Sequence, residues 1–475
     1  MRRFLSAALT VLAATAAQAQ PAPPSASAEQ IATPAGDANM PATPTFVLGN
    51  ASLNNKQVRV TVYGFAEADL ISDSTQSLTE NAGNTAIARQ GTTAGDAGRV
   101  QMSARNSRLG IKVESPETEG GIKGMGNLEW DFLGAANGTT EATIYSAPTF
   151  RMRHGFVKVQ TPWLDLLFGQ TWTPFAASGA FQPATVEIQG VPTEIFQRTV
   201  QLRVGHTFTA GDFKAELEVA AIRPYQHDSA VPDLGGYLRF VYEGWRGYKA
   251  TGQTGGDDSG IQLAFSALTR QVRVLDGAPA ATCPGAGAST CFDTARGAAF
   301  AIDAIIPILP ASKKSRANGL TLTAEASEGT GYSDVFSSEN AGVTTIGNPP
   351  GTTAANYKTG TSLDPGVAGF NSVTGKFDTV DLKSLLLSLQ YFLPIDNGNV
   401  WVSALYGTLQ SDNAVDFAAA SSAIADERWV AANLFYDLTP AVRFGLSWSK
   451  TRQRLGDNSA PRTNDRVQLS AWYVF

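Results

Sequence analysis

Along most of this 475-residue chain, apolar and polar residues alternate one for one. That two-residue period belongs to a β-strand with one greasy and one polar face. The last twelve residues, NDRVQLSAWYVF, put Val467, Leu469, Ala471, Tyr473 and Phe475 on one side and Arg466, Gln468, Ser470 and Trp472 on the other. From Lys56, VRVTVYGFAEADLI alternates the same way, over a length that exceeds most soluble strands and meets the about 9 to 11 residues a membrane-crossing strand needs. Helical spacing is absent over any comparable length. In lipid, every unpaired strand edge leaves N–H and C=O groups without partners, so such strands must close into a ring.

Sixteen alternating spans run from 57–71 to 464–475, with short turns (SPETEGG, TPWLD, TAGD, LPIDNG, DLTPA) alternating with long polar loops. The pattern predicts an all-β fold, a transmembrane antiparallel β-barrel over 57–475 with tight periplasmic turns and long outer loops. An even strand number keeps both ends of the barrel in the periplasm. A seventeenth candidate, Gly247–Thr254, is therefore assigned to an enlarged periplasmic turn. A soluble β-sandwich would also alternate. Thr199–Phe208, Leu320–Glu328 and Val442–Thr451 nevertheless each keep one whole polar face, with no second apolar sheet for it to pack on.

Composition adds the address. Met1, Arg2 and Arg3 precede an apolar run from Phe4 to Ala16 and the small-x-small site Ala17-Gln18-Ala19, which reads as a secretory signal peptide over 1–19. Residues 20–56 are Pro- and Ala-rich and read as an extended periplasmic linker. Removing Arg2 and Arg3 takes 36 basic and 42 acidic residues to 34 and 42, a net charge of −8, which disfavours nucleic acid as a partner. Cys283 and Cys291, in a Pro/Gly/Ala loop of an exported chain, predict a local disulfide, and strand parity places that loop outside the cell. Aromatic residues suit girdles at two membrane interfaces.

Tyr63-Gly64, the run Ser107-Arg108-Leu109-Gly110-Ile111-Lys112-Val113-Glu114, Gly169-Gln170 before a long third loop, and the terminal Tyr473-Val474-Phe475 resemble Gram-negative outer-membrane porins. Arg151 to His154 together with Phe168-Gly169-Gln170-Thr171-Trp172 is similar to the DcaP-like branch. The resemblance implies a sixteen-stranded homotrimer whose third loop folds inward, with a preference for small acidic solutes. It also implies a periplasmic coiled coil ahead of the barrel, for which the linker here has no heptads.

No catalytic motif is present, and His154, His206 and His227 are scattered, so neither enzyme chemistry nor a cofactor or metal is expected. Charge on the lipid face would cost about 2 to 4 kcal/mol at mid-depth, which turns charged strand residues toward the lumen. The expected lining is Arg108, Lys112, Arg151, Arg153, Arg203, Arg239, Arg270 and Arg443, facing Glu67, Asp69, Glu129, Asp131, Glu216, Glu218 and Glu325. Arg105 falls on the wrong parity. The third loop, Trp172–Gln197, is too apolar to lie in water, and its inward folding is expected to present Glu187 and Glu194 to the pore. The reading is a passive outer-membrane channel for small hydrophilic solutes, small carboxylates foremost. A barrel enzyme and a structural barrel anchored to the cell wall are the alternatives.

Overall fold

A computed structural model describes residues 46–53, 56–134, 148–224, 229–275, 292–337, 367–417, 424–456 and 459–475. The signal peptide, most of the expected linker, His227 and the loop holding Cys283 and Cys291 lie outside the described residues. The strands are β1 Phe46–Leu53, β2 Lys56–Asp73, β3 Arg99–Ser103, β4 Arg108–Glu114, β5 Lys123–Asp131, β6 Arg151–Gln160, β7 Asp165–Trp172, β8 Arg198–Ala210, β9 Phe213–Ile222 and β10 Asp233–Ala250. They continue with β11 Gly256–Leu275, β12 Phe292–Leu309, β13 Leu320–Thr330, β14 Ala368–Phe370, β15 Phe377–Thr379, β16 Asp381–Phe392, β17 Val400–Gln410, β18 Ile424–Asp437, β19 Val442–Leu455 and β20 Arg462–Val474.

The result is a closed, antiparallel, sixteen-strand barrel. Strands β3 and β4 share one place beside β2, and β14–β15 form a separate small hairpin. The ring closes where β2 pairs with β20, from Phe65 opposite Val474 to Asp73 opposite Arg466. Below that contact the free edge of β2 is taken by β1, from Phe46 opposite Val62 to Leu53 opposite Lys56. The end of the stretch read as linker is thus a paired strand. The faces are inverted relative to a soluble protein: Phe168, Phe208, Phe300, Leu202 and Ile302 are exposed on the outside, while Gln468, Ser470 and Ser447 are buried within.

Two departures from simple alternation matter. Between β3 and β4 the ladder breaks at residues 104–107 and resets parity: Gln101, Ser103 and Arg105 point inward before it, Gly110 and Lys112 after it. On β6 a register shift opposite Glu129/Trp130 lets Arg153 and the adjacent His154 both point inward, while Met152 and Val157 stay outside. A bulge re-aims side chains in this way by adding one residue to one strand.

The segment Gly247–Thr254 forms no seventeenth strand of the barrel, as the enlarged-turn reading expected, but it is an ordered hairpin end. β10 and β11 remain paired past a register shift at Tyr242/Arg246, from Arg246 opposite Gly260 to Ala250 opposite Gly256, so the hairpin projects well beyond its neighbours. Its tip is buried. The apolar face of Tyr248 and Ala250 packs with Phe392, Trp401, Phe435, Trp472, Phe65 and Val474 of the wall. The hairpin therefore folds into the lumen from the short-turn end.

Candidate pore and its wall

Loop 3, between β7 and β8, crosses the barrel interior. It leaves β7 through a short 3-10 turn, Phe175–Ala177, in which Ala176 and Ala177 take left-handed backbone angles. Several of its backbone groups, which burial removes from water, bond to polar side chains on the inward faces of distant strands. Ser266 Oγ accepts from Ala176 N at 2.8 Å, and Asn433 Oδ1 from Val186 N at 3.0 Å. Ser388 Oγ accepts from Ala184 N at 3.2 Å, while Ser403 Oγ donates to Ala184 O at 2.5 Å. On the return, Glu325 Oε1 accepts from Ile195 N at 2.9 Å. These bonds pin the loop to β11, β13 and β16–β18.

Further segments thicken this side. Loop 1, between β2 and β3, turns inward, Asn84 Oδ1 accepting from Thr193 N at 2.9 Å, with Ile87 fully buried. Tyr332, Val335 and Phe336 pack on Phe175 of loop 3. Arg105 reaches Glu80 of loop 1 at 2.8 Å, which accounts for a residue that simple parity left unexplained. From below, the β10–β11 hairpin meets the loop directly. Lys249 Nζ donates to Ala180 O at 2.9 Å, and a Cβ placed on Gly252 would lie 1.4 Å from Thr185 O. Arg443 fixes the tip: its Nη1 donates to the carbonyls of Thr251, Gly252 and Thr254 at 2.9, 2.9 and 2.7 Å, while its Nε donates to Asp437 at 2.5 Å. The half of the lumen against β16–β20 is consequently filled. Trp401 and Phe435 stack there with ring centroids 3.7 Å apart.

The opposite arc, β4 to β10, retains partly exposed inward groups: Gln160, Gly205, Thr207, Thr209, Glu216, Glu218 and Arg239. Its upper part carries a compact charged cluster. Arg153 Nε donates to Glu129 Oε1 at 2.6 Å and its Nη1 to Asp131 at 3.2 Å. Arg151 grips Asp131 with two bonds of 3.0 and 2.6 Å. Arg108 stands 3.5 Å from Glu129 and over the Phe65 ring. Tyr63 Oη lies 3.0 Å from both Glu129 Oε2 and Asn127 Oδ1, with one proton to share between them. A fourth guanidinium, Arg198 at the start of β8, is held over the rings of Trp172 and Phe196 at 4.6 and 4.9 Å, and its Nη1 has no hydrogen-bond partner among the described residues. It acts electrostatically on Asp131 and in turn feels Arg153, Arg151 and Arg108. Four guanidinium groups surround two carboxylates, a local excess of two positive charges.

The remaining expected residues are distributed. Arg203 pairs with Glu218 at 2.5 Å, Arg239 donates to Glu216 at 2.6 Å, and Lys112 stands 3.3 Å from Glu114, all on the open arc. Arg270 is bound to Asp233 at 2.9 Å and to Asp334, behind the apolar packing of loop 3. Glu67 accepts from Asn106 at 2.6 Å, and Asp69 from Ser470 at 2.5 Å, so both brace the seam. Arg443 serves the hairpin latch. Glu187 and Glu194 do not face an aqueous pore, because both are fully buried in loop 3. Glu194 Oε2 accepts from Gly190 N and Val191 N at 2.7 and 3.0 Å. Burial outweighs those bonds and pushes its carboxyl up to about 7, and it raises that of Glu187 also.

His154 Nδ1 lies 3.0 Å from Thr171 Oγ1, but both are buried and the nearby Glu129 is engaged by Arg153 and Tyr63. The contact reads as wall packing. His206 faces outward against Phe208. Sequence reasoning missed Arg198, whose position at a loop-to-strand junction gave no parity, and Tyr63, whose hydroxyl is the hinge of the Glu129 network.

Residues 48–224 match the family model described as DcaP outer membrane protein. The outer membrane channel DcaP of Acinetobacter baumannii is a similar solved structure, with a TM-score of 0.61 at 17% identity, covering 90% of this chain and all of that one. The anion-selective porin from Comamonas acidovorans follows with a TM-score of 0.51 at 10% identity, covering 88% of this chain and all of that one. No curated protein matches. The resemblance to DcaP-like porins that the motifs carry is borne out over residues 48–224, and the solved structures share the barrel fold.

Proposed function

We propose that this DcaP-like barrel is a passive outer-membrane channel without turnover, trimeric as its motifs suggest, that passes small hydrophilic solutes along the β4–β10 arc and favours small carboxylates over amines. The observation that carries the reading is the arginine excess: among the described residues, Arg108, Arg151, Arg153 and Arg198 stand around Glu129 and Asp131, and Arg198 has a donor left over. Guanidinium groups stay charged at any accessible pH and present a planar fork that fits a carboxylate. In a narrow passage with low-dielectric walls, that local field outweighs acidic groups on the outer loops, which salt screens beyond about 8 Å.

The test is the reversal potential across a salt gradient in planar bilayers. The unmutated channel should be anion-selective, and Arg198→Gln should move the potential toward zero while leaving the paired arginines in place. Replacing Arg108, Arg151, Arg153 and Arg203 by Gln should abolish the preference. Cation selectivity in the unmutated channel would refute the reading.

A further inference from the structure

The outward faces of β18 and β19 end in a set of cations that the channel does not use. Val430, Ala432 and Leu434 on β18 and Phe444, Leu446 and Trp448 on β19 form the lipid-facing apolar belt. One outward step beyond Val430 comes Arg428, and beyond Trp448 come Lys450, Arg452 and Arg454, all on that same face. This end of the strands leads into the connections 411–423 and 456–461. In the ladder Arg428 lies directly opposite Arg452, and Arg454 opposite Asp426. Like charges directly opposite on neighbouring strands repel, so such a pair is stable only where an anion or water screens it.

The available acids do not neutralise the group. Arg428 Nε is 3.5 Å from Asp426, whose other oxygen accepts from Gln410, and Lys450 is 3.3 Å from Asp465. Arg452 and Arg454 are exposed and have neither an ion pair nor a hydrogen bond among the described residues. Among the described residues, four cations thus face two carboxylates at the border between apolar belt and headgroup region. We propose that this patch is a binding site for a phosphorylated lipid headgroup of the outer leaflet, whose acyl chains lie along the belt below while its phosphates bridge Arg428, Arg452 and Arg454. A phosphate supplies several strong acceptors for guanidinium forks, and the adjacent apolar face supplies the surface for the chains.

Titration of the purified full-length barrel with diphosphoryl lipid A, followed by native mass spectrometry, tests the site. The lipid should stay bound, and the same lipid stripped of its phosphates should bind about tenfold more weakly or worse. Arg452→Gln with Arg454→Gln should reproduce that loss, with single-channel conductance unchanged. Equal retention of the two lipids would overturn the site, and this arm needs only the unaltered protein. Displacement of the lipid by inorganic phosphate alone would reduce the patch to an adventitious ion site. A shift of the double variant from oligomer to monomer would instead assign the patch to a contact between copies.

Discussion

Gly252 is the sharpest point at which to test whether the β10–β11 hairpin bounds the passage. Its backbone sits so close to loop 3 that any side chain would begin 1.4 Å from Thr185 O, where ordinary contact needs about 3.4 Å. Gly252→Ala therefore requires hairpin and loop to part by about 2 Å. That displacement breaks the bonds from Arg443 Nη1 to the Thr251, Gly252 and Thr254 carbonyls, now 2.7 to 2.9 Å. With two protons on that nitrogen, two bonds are at stake, each about 1.5–3 kcal/mol for a charged donor. The seated hairpin then loses about 3–6 kcal/mol, or roughly two to four powers of ten in occupancy. Single-channel recording should show a larger or flickering conductance in a barrel that still shifts mobility on heating. Gly126→Ala, with nothing within 4 Å of the added carbon, is the silent control. Unaltered conductance in folded Gly252→Ala would mean that the hairpin does not limit the path.

Loop 3 and the seam give further expectations. Deleting residues 178–190 should raise conductance severalfold with the oligomer intact; an unchanged conductance would refute loop 3 as the narrowing element. The Glu194 carboxyl is raised in the folded state, so the folded protein binds more protons than the unfolded one between pH 4.5 and about 7. Its contribution is full below that window and fades as pH rises through it, by roughly 3 kcal/mol. Amide exchange at Gly190 and Val191 should therefore quicken beyond the ordinary base-catalysed trend as pH rises, and Glu194→Gln should remove the excess. Arg466, fully buried, holds Asp73 through two bonds of 2.8 and 2.9 Å at the closing seam. Arg466→Leu leaves that carboxylate buried with fewer donors and should cost about 3–5 kcal/mol, read as a lower temperature for loss of heat-modifiable mobility.

Strand periodicity made the barrel legible because a one-residue slip would carry every apolar side chain to the wrong face. It failed where the ladder itself slips: Arg105 keeps the inward parity of β3 across the break at 104–107 while β4 takes the opposite one, and His154 points inward beside Arg153 at a bulge. It also cannot distinguish a polar side chain that meets water from one that meets a folded-in backbone. Ser388, Ser403 and Asn433 alternate as a water-lined wall would, yet they hold loop 3. The same ambiguity hid the role of Arg443, since its three carbonyl partners lie about 190 residues away in a hairpin whose inward course depends on contacts with loop 3. Glu187 and Glu194 belong to that class as well: the loop was expected inside, but its own packing buries their carboxyls.

The filled half of the lumen has a consequence for redesign. Around β16–β20 the interior obeys the rules of a globular core, so enlarging or charging side chains such as Trp401, Phe435 or Trp472 would meet steric resistance as in a soluble enzyme. On the arc from β4 to β10 the tolerant positions are Gln160, Thr207, Thr209, Glu216, Glu218 and Arg239, whose side chains still touch solvent. A sensing pore built on this scaffold would have to be retuned from that arc alone, using the filled side as a rigid keel against which new recognition groups keep their aim.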